Sequence, residues 1–226
     1  MEDQAVASAE PMNEPATHSV DELWLEVLQQ VSARTSHELK GALNGVAVNL
    51  EVVRSRSARP DAAAAAVAPF AASAADQLDA VVGMTEALLK LARPPREPVD
   101  LGDTLDSLAS LLAPLARAEG GSLRIESQRE IGGSLVRARG NVVRLVIGAT
   151  ILAALSRKGD IRCRVDVGEE TVVGIECLDA EGPLELPSDV MAVAAAADIR
   201  VQSEGQSISL AFPRAGAARQ RTPERA

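Results

Sequence analysis

A chain of 226 residues can hold one large domain or two small ones, and either can bury a substantial core. Its 46% apolar content is weighted toward alanine, with no Tyr, one Trp (Trp24) and two Phe (Phe70, Phe212), so bulky packing falls to Leu, Val and Ile and favours helix on helix. A net charge of −9 repels phosphate backbones and excludes nucleic acid from the expected partners, while the longest uncharged run, Ala62 to Ala75, is too short for a bilayer and holds Pro69.

Residues 1–19 are rich in Glu, Asp, Pro, Ala and Ser with no apolar period and read as a disordered acidic leader, His18 included. They lack the basic-then-apolar layout of a signal peptide, so a cytoplasmic location without membrane insertion is expected. From Val20 the apolar residues Leu23, Val27, Leu28, Val31, Leu39, Leu43, Val46, Leu50 and Val53 recur at spacings of three and four, with Asp21 and Glu22 placed at the start. This predicts a long amphipathic helix. "SRSARPD" breaks it at Pro60, and a second helical pattern runs through Phe70, Ala74, Leu78, Val81, Val82, Leu88, Leu89 and Leu91 until "ARPPREP" stops it. Residues 20–94 thus form an antiparallel hairpin. Its apolar surface exceeds what two helices can cover, so pairing with a second copy as a dimeric four-helix bundle is expected.

After a linker at 95–99 the pattern changes. Leu101 to Gly120 is helical, "SLRIES" is a short strand, and "VRARGNVVRLVIGATILAALSRKG" is a brief strand followed by a helix ending at Gly159. Two strand hairpins follow, turning at Gly168 to Glu170 and at Glu204 to Gln206. Helices and antiparallel strands in this order predict an α/β sandwich over residues 100–214, one sheet covered by helices. The chain as a whole is therefore of the α+β class. A disordered basic tail is expected at 215–226. Cys163 and Cys177 lie in separate strands without a CxxC pair or a nearby His, so no metal site is expected and burial as small apolar groups is the simpler reading.

The segment Ser36-His37-Glu38-Leu39-Lys40, followed by Leu43 and Asn44, resembles the H-box of sensor histidine kinases, which carries the phosphorylated histidine on a dimerising helical hairpin. Over about residues 20 to 214 the order of elements is similar too: "VDLGDTLDSLASLLAPLARAEGGSLRI" resembles the entry helix and first strand of that family's ATP-binding domain, and "ADIRVQSEGQSISLAFPRA" its closing hairpin. The resemblance implies phosphoryl chemistry at His37, with Glu38 accepting a hydrogen bond from the other imidazole nitrogen and raising its nucleophilicity. It also implies response-regulator receiver domains as partners. Arg34, Lys40 and Asn44 lie close to His37 as candidate partner-binding residues, and the two cations can balance an acidic receiver pocket.

Each of these residues has a plainer interpretation beside the chemical one. His37 and Glu38 are also what a solvated helix surface looks like, and Arg34 and Lys40 equally serve helix solvation.

The departures from the family are informative. Its asparagines, which hold magnesium and nucleotide phosphates, belong on the helix at Asn141 to Ser156, yet "VVRLVIGATILAALS" has none. In place of a DxGxG motif stands "LDAEGPLEL", with Asp179 and Gly182 misspaced and Pro183 lacking an N–H; they read better as a strand-end turn. No GxGxG lid occurs between Leu184 and Asp198. ATP binding and any cofactor of the chain's own are therefore not expected; magnesium comes with the receiver. The family's proline after the histidine is Ala42, and its water-orienting phosphatase residue is Gly41, which has no side chain for that task.

The expected activity is histidine phosphotransfer, His37 exchanging a phosphoryl group with receiver aspartates in a homodimer. A pseudokinase scaffold that binds without phosphotransfer and a histidine kinase with an atypical ATP site are the alternatives.

Overall fold

The computed structural model describes residues 19–59, 63–127, 134–179 and 182–215. The expected leader (with His18) and basic tail lie outside the described residues, apart from Ser19 and Ala215, as does Pro60 in the helix break. Helix α1 spans Val20–Ser57, and Ser19 starts it with a capping box: its hydroxyl accepts from the Glu22 N–H at 3.3 Å while the Glu22 carboxylate accepts from the Ser19 N–H at 2.7 Å. The helix continues through Ala42, where no proline interrupts the ladder. After a 3₁₀ turn at Ala64–Ala66, helix α2 spans Ala68–Ala92 with Pro69 in its first turn, where a missing N–H costs nothing. Arg56 ties the corner shut, donating to the Ala66 carbonyl at 2.8 Å with its guanidinium 4.6 Å from the centre of the Phe70 ring.

Beyond the hairpin come β1 (Val99–Asp100), α3 (Leu101–Ala118), β2 (Leu123–Ser127), β3 (Leu135–Val136), α4 (Gly140–Leu155), β4 (Asp160–Val167), β5 (Glu170–Leu178), α5 (Ser188–Ala196), β6 (Arg200–Glu204) and β7 (Ser207–Pro213). Strand β1 pairs with β3, Val99 opposite Val136. The main sheet has the order β2-β4-β5-β7-β6. Its strands alternate as a half-buried sheet should: Ile161, Cys163, Val165, Val173, Ile175, Cys177, Ile208, Leu210 and Phe212 face inward, while Arg162 and Arg164 face out.

One expectation needs correction. The strands are not all antiparallel: β2 runs parallel to β4, Leu123 opposite Ile161, because α4 carries the chain back between them as a crossover. Helix α5 also had no counterpart in the sequence pattern. It is short and alanine-rich, and only Val190 and Ala194, one turn apart, are buried.

Helix α4 decides the architecture. Every residue in it except Asn141 and Ala153 is buried, as befits a helix apolar on all sides. The sheet lies on one side and α1 on the other. Leu23, Trp24, Val27 and Val31 of α1 and Met84, Ala87 and Leu91 of α2 accordingly join the same hydrophobic core as the sandwich. The near end of the hairpin is covered by the chain itself. Its remainder leaves Leu43, Val48, Leu50, Leu78 and Val82 between 48% and 64% exposed.

Candidate functional site

His37 lies in the middle of α1 with an exposed side chain. Residues three, four and seven apart share a helix face, so Arg34, His37, Lys40, Gly41 and Asn44 form one stripe, with Glu38 a step around the helix. Lys40 and Asn44 are exposed, and Arg34 and Glu38 are half-buried. None of the side chains of Arg34, His37, Glu38, Lys40 or Asn44 makes a hydrogen bond or ion pair among the described residues, so the expected Glu38–His37 hydrogen bond is not made here. Both imidazole nitrogens are open to a partner. One residue before the histidine, the Ser36 hydroxyl donates to the Ser32 carbonyl at 2.8 Å. Thr35, on the opposite side of the helix, is fully buried and its hydroxyl has no partner.

Toward the N-terminus the stripe runs into a groove of about 530 Å³ between α1, α4 and the chain before α5. Arg34 and Gln30 stand on one wall, Leu145 and Leu152 on the other, and Leu186 and Val190 close it. The sandwich thus reaches within one turn of the histidine. Sequence reasoning did not foresee this groove, because the α1 to α4 contact that forms it has no local signature.

The positions compared with a nucleotide site have other duties. Asn141 donates from its side-chain amide to the Asp21 carboxylate at 2.8 Å, holding the first turn of α1. Asp179 is exposed at the end of β5 with φ +61° and Gly182 follows with φ +82°, a turn geometry that Asp and Gly tolerate. The Pro183 carbonyl accepts from Arg157 at 2.8 Å and the Leu184 N–H donates to the Gly205 carbonyl at 2.7 Å, so this segment is pinned along the sheet.

Cys163 and Cys177 are buried free thiols. Burial pushes the Cys163 thiol up to about 12 and raises that of Cys177 as well, so neither is a nucleophile at neutral pH. Among the described residues no three His, Cys, Asp or Glu side chains gather as metal ligands.

The fold and the site together define an α+β protein that displays one solvent-facing histidine on a long helical hairpin. No protein-family model and no curated protein sequence matches the chain. Among solved structures it is similar to the Acinetobacter baumannii histidine kinase AdeS, with a TM-score of 0.41 and 13% identity over 79% of this chain and 98% of that one. It is also similar to full-length ShkA in complex with AMPPNP, with a TM-score of 0.39 and 16% identity over 83% of this chain and 46% of that one. At these scores the likenesses decide nothing about the chemistry, which rests on the chain's own residues.

Proposed function

We propose that the chain is a histidine phosphotransferase of two-component signalling, in which His37 takes a phosphoryl group from the aspartyl phosphate of one receiver domain and gives it to the aspartate of another. The observation that carries this reading is the free imidazole in mid-helix, flanked on its own face by Arg34 and Lys40. A neutral imidazole attacks phosphorus through one nitrogen while the other keeps its proton. The N–P bond forms as the acyl phosphate O–P bond breaks, and the carboxylate leaves with the electron pair. Glu38 turns to accept the hydrogen bond from the protonated nitrogen and supports the growing positive charge of the ring. Arg34 and Lys40 neutralise part of the charge of the acidic receiver pocket, Asn44 adds a polar contact, and magnesium enters with the receiver. Such transfer asks chiefly for in-line positioning and charge neutralisation. The exposed apolar length of the hairpin pairs with a second copy, giving two histidines per dimer.

Under this reading the sandwich is a docking surface and not a nucleotide domain. Supporting this is the use of Asn141 to hold α1 and the burial of α4 between α1 and the sheet.

His37→Gln abolishes acid-labile labelling of the chain by a phosphorylated receiver and leaves its oligomeric mass unchanged. Labelling that persists in this variant overturns the proposal. The open Glu38–His37 pair also favours a second reading, a pseudokinase scaffold that binds a receiver without reacting. That reading requires the phosphorylation lifetime of a tightly bound receiver to be the same with and without the chain.

A further inference from the structure

Asn141, Arg144 and Gly148 are spaced three and four apart and share one face of α4, the face turned to the hairpin. Each meets the hairpin by different means. Asn141 bonds to Asp21 of α1. Gly148 lets α1 approach so closely that a Cβ there would lie 3.0 Å from Val27 Cγ1 and 3.6 Å from the Trp24 ring. Between them Arg144 donates to three backbone carbonyls at the end of α2: Leu91 at 3.1 Å, Arg93 at 2.7 Å and Lys90 at 3.2 Å. Its guanidinium also sits 6.0 Å from the centre of the Trp24 ring.

The last carbonyls of a helix lack intrahelical partners and carry the negative end of its dipole. A guanidinium placed there satisfies both, and no carboxylate pairs with Arg144 among the described residues. Arg144 is only 8% exposed, and burial lowers its pKa, yet a guanidinium stays charged in proteins. Were the hairpin to swing away, this charge would lose its carbonyls and its ring face together. An intermediate opening, with the charge half-bonded, is disfavoured for the same reason.

We propose that this stripe is an interdomain latch, with Arg144 as its locking residue, and that the hairpin and the sandwich move as one body. The proposal stands independently of phosphotransfer at His37.

The test is amide hydrogen exchange of the full-length chain and three variants. In Arg144→Gln, exchange rises about tenfold or more over Leu23–Val31 and Met84–Leu91, while strands β4 and β5 change by less than about twofold. Gly148→Leu keeps the guanidinium but wedges α1 off α4, and it gives the same local pattern. Arg144→Lys keeps the charge without the fork and falls between wild type and Gln. If the Gln variant does not fold, the Lys and Leu variants are judged on the same segments. A rise shared equally by β4 and β5 makes Arg144 an ordinary core residue and overturns the latch. Unchanged exchange over Leu23–Val31 overturns it too.

Discussion

Gly41 stands one turn past His37 in the exposed part of a continuous helix, and a Cβ built on it meets no heavy atom within 4 Å. The glycine costs helix stability with no local contact in return. Gly41→Ala is expected to stabilise the chain by about 0.5–1 kcal/mol, read as a higher urea midpoint at an unchanged slope. Cys163 gives a pH dependence. Its thiol ionises near 9.0 in an open chain and near 12 when buried, so between these values the folded state holds a proton that the unfolded state has lost. Stability therefore falls as pH rises through that window, by up to about 1.4 kcal/mol per pH unit. Urea unfolding at pH 8 and pH 10.5 should show a smaller loss in Cys163→Ala than in the wild type. At this scale the sequence was partly legible. The stripe from Arg34 to Asn44 could be read because helical spacing puts its members on one face. Arg144 was missed, although a lone cation in the apolar run "VVRLVIGATILAALS", followed four residues later by a glycine, is a usable signal for a buried joint.

At the scale of elements, the hairpin is covered unequally. Its near end is roofed by the sandwich, and its length beyond carries Leu43, Val48, Leu50, Leu78 and Val82 in the open. If that face pairs with a second copy, light scattering finds twice the 23.6 kDa of one chain, and Leu78→Glu/Val82→Glu lowers the mass to a single copy while leaving the helical circular dichroism of the chain in place. The two long helices, α3 and both strand hairpins were legible because their apolar periods of 3.6 or 2 run long enough to be told apart, and α4, apolar on all sides, because its run is too long for a strand and is bounded by Gly140 and Gly159. Helix α5 was not, since "SDVMAVAAA" offers too few large apolar residues to set a period. The parallel β2–β4 pairing was also out of reach, because strand direction depends on where α4 returns the chain and not on the strands' own residues.

At the scale of the molecule, two units separable in sequence share one core, which runs from Leu23 through α4 to Phe212. If α4 has exchanged a nucleotide for the hairpin, ATP with magnesium leaves the thermal midpoint unmoved. A ligand at a hundred times its Kd would add about 2.7 kcal/mol, and a shift of that size would return the kinase alternative to the front. The shared core has a further consequence for synthesis. Trp24 is the sole tryptophan, and its neighbourhood is joined to α4 by a hydrogen bond that spans 120 positions, from Asp21 to Asn141. A ribosome that has made α2 must still add α3 and α4, which at about 5–20 residues per second takes roughly three to thirteen seconds. Through that interval the indole lacks Arg144 and the close approach at Gly148, so the nascent hairpin leaves the α4 side of Trp24 bare. Its fluorescence dates the docking of α4 on the hairpin.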